Sequence, residues 1–280
     1  MSISTPSNLE NALVVLAGDP DTQVLAGGTD FMVEVNFGHR RPTSVLSLGR
    51  CRELRRWHYD GSSLVIGSGV TYRDLAHPEL AGPLPALAAA ARTVGSPQIR
   101  NAGTIGGNVA TASPAGDTLP VLAALDASIE LRSAARGTRV MPWTAFFLGV
   151  KRTARETDEL VTAVHVPIFD SAQEYLKVGT RNAMVISVAG LCAVVDFAGH
   201  NVRCAMGSVG PVPLRARDAE AWVADHTDWE TRRIADPRTY ETFASMVADA
   251  ARPIDDHRST AQYRRHAIGV LAKRALMRMV

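Results

Sequence analysis

Two glycine turns carry the residues best suited to chemistry. Ala26-Gly27-Gly28-Thr29-Asp30 follows a short apolar segment, and Thr104-Ile105-Gly106-Gly107-Asn108 opens a stretch rich in Ser, Thr and Asn. Consecutive glycines let backbone amides converge with no side chain in the way. Converging amides make a concave site for an anion such as phosphate. Two such turns would grip a pyrophosphate from both sides, with Thr29, Thr104, Asn108 and Thr111 adding neutral hydrogen-bonding groups. Each glycine pair taken alone also reads as a tight turn; together they point to a nucleotide-type ligand. Asp117 suits a hydrogen bond to a ribose or a base, or a helix cap. Lys177, one of three lysines in the chain, lies in EYLKVG. There it also reads as an edge-strand lysine facing water.

Other chemistries are excluded by what the spacing lacks. Gly67-Ser68-Gly69 begins like a dinucleotide fingerprint, but the third glycine position is Tyr72. The acidic residue due about twenty positions on is also missing, because that region is Ala86 to Ala91. The cysteines, Cys51, Cys192 and Cys204, are too dispersed for a disulfide framework, a zinc site or an iron–sulfur cluster, and read as small buried hydrophobes. The histidines do not pair at metal-ligand spacing, and no Ser-His-Asp or Cys-His set assembles. A net charge of +2, with no dense basic run, offers nothing to a nucleic acid.

The elements that must position the two turns follow from periodicity. Leu9, Leu13 and Leu16 share one face of a helix over about Thr5 to Ala17, which Ser7 is placed to cap. QVL, VLSLG and SLVIGSGV read as short strands, and Pro83 to Ala91 as a helix entered through proline. Arg100 to Gly116 reads as a long ordered loop, with a helix beginning near Asp117. SIELRS, TRVMP and ELVTAVHVP are strands. After Pro167 the pattern changes to an antiparallel meander, EYLKVG, ISVAGLCAVVDF and NVRCAMGSVG, and then to helices. The last helix runs from about Thr260 to Met279, with Tyr263, Ala267, Val270, Leu271 and Leu276 on its buried face. With 280 residues, 46% apolar and 21% charged, two domains are expected, 1–170 and 171–280. The N-terminus lacks a signal peptide's basic start and apolar run, and no stretch is long enough to span a membrane. A cytoplasmic protein is expected.

Taken in order, these segments resemble the FAD-binding medium subunit of the molybdenum hydroxylases, the family of carbon monoxide, nicotine and bacterial xanthine dehydrogenases. LAGGTDFMVEVN resembles the first FAD loop and IRNAGTIGGNVATASPAGDTLPVLAALDA the second. MPWTAFFLG, ELVTAVHVP, EYLKVGTRNAMVISVAG, VGPVPLRARDAE and DDHRSTAQYRRHAIGVLAKRAL follow in the family's order. The resemblance covers essentially the whole chain. It implies an α+β protein: a vanillyl-alcohol-oxidase-type FAD-binding domain of two α/β subdomains, then a small domain of antiparallel sheet and helices. By the same resemblance Val24, Leu25, Ala26, Gly27, Gly28, Thr29, Asp30 and Phe31 line the first pyrophosphate loop. Thr104, Ile105, Gly106, Gly107 and Asn108 form the second, with Thr111 nearby and Asp117 towards the ribose–adenine side. Val161 would pack near the isoalloxazine, and Lys177 would reach the ring's polar edge, where a cation stabilises a reduced, anionic flavin. No histidine lies between Val24 and Phe31 to attach the flavin, so FAD is expected to be non-covalent. The molybdenum cofactor and [2Fe–2S] clusters would lie on a large and a small partner subunit, in a dimer of heterotrimers. The chain would carry electrons from those clusters to an external acceptor. Two alternatives stand beside this: a free-standing FAD oxidase or dehydrogenase of the same fold, and a structural subunit without cofactor.

Overall fold

The computed structural model describes all 280 residues, and the chain folds around three larger sheets and one two-stranded one. The first is small and parallel. Its strands are β1 (Ser2–Ser4), β2 (Gln23–Leu25) and β3 (Ser44–Ser47), in the order β1-β3-β2. Parallel strands need a crossover, and the helix Leu9–Gly18 supplies one, burying Leu9, Leu13 and Leu16 as the periodicity predicts. Its cap is Asn8, not Ser7: the Asn8 side chain accepts from the Asn11 amide at 2.8 Å.

The second sheet is antiparallel and five-stranded. β4 (Trp57–Asp60) and β5 (Ser63–Gly67) form one hairpin, β6 (Ser128–Ser133) and β7 (Gly137–Pro142) another. A small hairpin, β8 (Phe147–Gly149) and β9 (Arg152–Thr153), leads into β10 (Glu159–Pro167), which joins the two large hairpins at the centre of the sheet. β6 alternates between buried and half-buried residues, as a strand with one covered face must. Its inner side packs against Pro85–Thr93 and Leu119–Ala124 in a core that includes Leu87, Ala91, Leu122, Ile129 and Leu131.

The third sheet contains β11 (Ser171–Gly179), β12 (Ser187–Asp196), β13 (Asn201–Gly207) and the two-residue β14 (Leu214–Arg215), in sequence order. Every residue of β12 is buried, because both faces of this sheet are covered. Tyr175, Cys192, Val194 and Ala205 join the core of the preceding sheet. Leu191, Ala193, Val195 and Cys204 pack on the other side with Phe243, Ile268, Leu271 and Leu276 from the closing helices. The last helix is Ala261–Met279, capped by Thr260. Its buried face carries Arg264 in place of the expected Tyr263, which is 50% exposed.

The stretch expected to be a long loop is largely helical. Pro97–Ala102 and Ile105–Thr111 are short helices, capped by Ser96 and Thr104. Gly, Asn and Thr disfavour helix locally, and the caps plus packing against the second sheet override that preference. All three cysteines are free and buried, as expected. No group of His, Cys, Asp and Glu is placed to hold a metal, and no helix is long and apolar enough to cross a membrane.

Candidate functional site

A cavity of about 1000 Å³ opens where the first two sheets meet. It lies beyond the carboxyl ends of the parallel strands β2 and β3, the usual place for a ligand beside such strands. Val24, Ala26 to Phe31, Thr104, Gly106, Gly107, Asn108, Thr111, Asp117 and Val161 line it. Leu25, Ile105 and Lys177 do not; Ile105 is fully buried in the core behind.

The two glycine turns touch. A Cβ on Gly27 would stand 1.9 Å from the Ala102 carbonyl oxygen, and one on Gly107 would stand 3.9 Å from the Ala26 Cβ. Their amides differ. In the second turn four of the five are engaged: Ile105 N–H donates to Val70 O, Gly106 N–H to Ser68 O, Gly107 N–H to Thr104 Oγ1 and Asn108 N–H to Thr104 O, which leaves only the Thr104 N–H without a protein acceptor. In the first turn the six consecutive amides from Ala26 to Phe31 donate to no other protein atom. Buried or half-buried backbone N–H groups are nearly always paired. Six in succession on a cavity wall, five of them in buried or half-buried residues, suit an anion. Free amides thus run through the first turn, whereas the second offers only that of Thr104. The second is a wall whose own hydrogen bonds fix its shape.

The glycines divide in the same way. Gly106 is required by the protein, since a Cβ there would lie 2.3 Å from that of Ser68. Gly107 is not: its nearest neighbour is the Thr104 hydroxyl at 3.1 Å, a side chain able to shift. A glycine the fold does not demand, facing a cavity, fits close approach of a ligand. Neutral amides, neutral hydroxyls and this open face suit a pyrophosphate, so the residues present fit the FAD implied by the resemblance.

Asp117 is not a helix cap. The helix that follows starts at Leu119, and the Asp117 carboxylate is held instead from β11. The Tyr175 hydroxyl donates to Oδ1 at 3.0 Å, and Lys177 Nζ donates to Oδ2 at 2.7 Å and to Thr93 O at 3.2 Å. Lys177 is therefore buried and paired, not a water-facing edge lysine. Burial pushes the Asp117 carboxyl above its usual range, against the pull of Lys177 and Tyr175. Burial also drives the Tyr175 hydroxyl well up, with the Asp117 charge adding to it. Asp117 thus lines the cavity, with Lys177 behind it. The two side chains therefore act as one pair.

At the opposite end lie Leu54, Leu160 and Val161. The β5–β10 pairing stops at Ala163↔Gly67, and a bulge separates Val161 from Ala163. Backbone of β10 at 160–161 therefore borders the cavity without a partner strand on that side. Asn108 braces the wall by accepting from the Thr118 hydroxyl at 2.5 Å. A further tie crosses the cavity: Glu34 pairs with Lys151 at 2.6 Å and with Arg40 at 2.7 Å, and Lys151 above all holds the Glu34 carboxyl below its usual range.

Sequence reasoning missed three contributors. Ser68 lies in the glycine motif set aside as a false fingerprint; its carbonyl holds the second turn in place. Tyr175 lies two residues from Lys177, the spacing that puts both on one face of a strand. Arg155, on the cavity wall, lies in a charged turn with no motif to announce it.

Known proteins match over the whole chain. The family model "FAD binding domain in molybdopterin dehydrogenase" matches residues 1–169, and that of the "CO dehydrogenase flavoprotein C-terminal domain" matches 174–279. The chain is similar to the nicotinate dehydrogenase FAD-subunit of Eubacterium barkeri, 36% identical and covering 89% of this chain and 87% of that one. It is also similar to the carbon monoxide dehydrogenase medium chain of Hydrogenophaga pseudoflava, 31% identical over 97% and 94%. A solved structure of that organism's carbon monoxide dehydrogenase superposes with a TM-score of 0.88, at 28% identity, over 100% of this chain and 98% of the other.

Proposed function

The chain belongs to the FAD-binding medium subunits of the molybdenum hydroxylases, and from that premise we propose how its residues hold and use the cofactor. The carrying observation is the run of six amides, Ala26 to Phe31, without a protein acceptor on the wall of a cavity of about 1000 Å³. These amides take the pyrophosphate. Gly107 and Thr104 close over it, and Thr29, Asn108 and Thr111 supply neutral hydrogen bonds. FAD is held non-covalently, and supplies when bound the capacity to accept electron pairs and release them singly.

The orientation follows from the two ends. Asp117, Met184 and Ile186 all line the cavity, and Met184 and Ile186 are each more than half exposed. A ring that exchanges electrons with other molecules belongs at this accessible end. There the pair fixes the polar edge, and Tyr175 fixes Asp117. The adenine belongs against the buried Leu160–Val161 backbone, whose N–H and C=O groups suit a purine edge. This reverses the ends expected for Asp117 and Val161, and keeps Lys177 at the ring.

The chain is an oxidoreductase subunit that passes electrons from partner [2Fe–2S] clusters to an external acceptor; substrate is hydroxylated on a large molybdenum-cofactor subunit. We place the complex in the cytoplasm as a dimer of heterotrimers, with 1–170 binding FAD and 171–280 closing over its ring end. The test is rapid mixing of the assembled complex with its reducing substrate. Flavin bleaching should follow cluster reduction, and removing FAD should stop acceptor reduction while clusters still reduce. Substrate turnover by the isolated chain would instead identify a free-standing oxidase or dehydrogenase.

A further inference from the structure

The cations of the cavity wall are not equivalent. Arg40 and Lys151 are both matched by Glu34. Arg55 is exposed and donates to Gly49 O at 3.1 Å. Arg155 is half-buried, yet no carboxylate lies within ion-pair distance of its guanidinium. Its Nη1 donates to the carbonyls of Glu156 at 2.9 Å, Thr157 at 3.5 Å and Glu159 at 2.7 Å. Nε and Nη2 donate to no protein atom. The carbonyl bonds fix the planar group beside Leu160 and Val161, and Arg155 itself lines the cavity. Burying a cation is costly unless something compensates it, and Glu159, Asp158 and Glu156 do so only through space, none forming a direct ion pair. Loss of solvation lowers its pKa, in keeping with that cost.

A phosphate is a poor candidate for the missing partner, because the amides from Ala26 to Phe31 already form its cradle. A purine fits better: a guanidinium plane stacks on an aromatic face, and its free N–H groups reach ring or ribose acceptors. We propose that Arg155 contacts the adenosine part of bound FAD and makes the site select the dinucleotide over a flavin mononucleotide. This rests on the reading that FAD occupies the cavity with its adenine at the Val161 end. Lysine in place of Arg155 keeps the charge and loses the plane; methionine loses both.

The experiment uses the full chain stripped of flavin, with the Arg155→Met and Arg155→Lys variants. Titrations with ADP, FAD and FMN are followed by the midpoint potential of bound FAD. Arg155→Met should weaken ADP and FAD by the same factor, on the order of tenfold, with Arg155→Lys intermediate. FMN affinity and the midpoint potential should not move. Equal weakening of FMN would assign Arg155 to the phosphate. A shifted potential with unchanged ADP binding would assign it to the ring. Unchanged ADP binding in both variants would remove the contact altogether. Each of these overturns the proposal and leaves the FAD reading standing. A wild-type chain that binds neither FAD nor ADP would overturn both.

Discussion

Neighbouring glycines in this site answer to different demands, and substitutions separate them. At Gly27 an alanine methyl meets the Ala102 carbonyl at 1.9 Å. Gly27→Ala should therefore lower stability by about 1–3 kcal/mol or more, visible in a denaturant melt of the flavin-free chain. A Cβ at Gly107 meets the Thr104 hydroxyl at 3.1 Å and the Ala26 Cβ at 3.9 Å, both side-chain atoms, and Gly107 lines the cavity. Gly107→Val should fold with nearly the wild-type midpoint and lose FAD affinity by on the order of a hundredfold, about 3 kcal/mol. Wild-type affinity in Gly107→Val would show that this glycine serves no ligand. At the far end, Lys177→Met leaves the Asp117 carboxylate buried without its cation, a loss of about 3–5 kcal/mol. The sign of the pH effect follows from the raised Asp117 pKa. Between its unfolded and folded values the native state holds more protons, so stability falls as pH rises through that window. In Lys177→Met the window widens upward, and Lys177→Met/Asp117→Asn should recover most of the loss. A double variant no more stable than the single one would contradict the pairing. Gly-Gly, Asp117 and Lys177 were visible in the sequence. That Asp117 and Lys177 bond each other was not, because 60 positions of chain separate them.

Elements were legible where a period was strong and illegible where short pieces lean on their neighbours. The alternation in β6 and the long apolar β12 could be read directly; the helices at Pro97–Ala102 and Ile105–Thr111 could not. Their glycines and asparagines favour turns, and only capping by Ser96 and Thr104 and contact with Ser68 and Tyr72 makes them helical. The ends of the last helix were clear, but Arg264 replaces Tyr263 inside. Its guanidinium finds Val188 O at 2.7 Å, Ser208 O at 3.0 Å and Asp256 at 2.6 Å, partners no helical period announces. The tie from the helix Phe31–Asn36 to the β8–β9 turn, through Glu34 and Lys151, gives a prediction at this scale. A carboxylate whose pKa is depressed stabilises above its unfolded value, 4.5, and that stabilisation is lost as pH falls through the lower folded value. The pair is partly exposed, so the effect is below about 1 kcal/mol. FAD should dissociate faster on acidification below that range, and Glu34→Gln should dissociate faster at neutral pH with a flatter pH dependence. An unchanged pH profile in Glu34→Gln would rule out the clamp.

For the molecule as a whole, the change of pattern after Pro167 marks a new sheet without marking an independent body. Tyr175, Cys192, Val194 and Ala205 belong to the core of the preceding sheet. The chain should therefore unfold in one cooperative step, with far-ultraviolet dichroism and tryptophan fluorescence coincident. Residues 1–170 alone should expose the face those side chains cover and bind hydrophobic dyes. Two resolved transitions would mean that the halves are autonomous. If this cavity carries FAD without a covalent bond, the flavin content of the purified chain will show it. The purified chain should hold stoichiometric FAD that moves wholly into the supernatant when the protein is denatured. A colourless chain that takes up no added FAD would contradict it and return the protein to the role of a structural subunit.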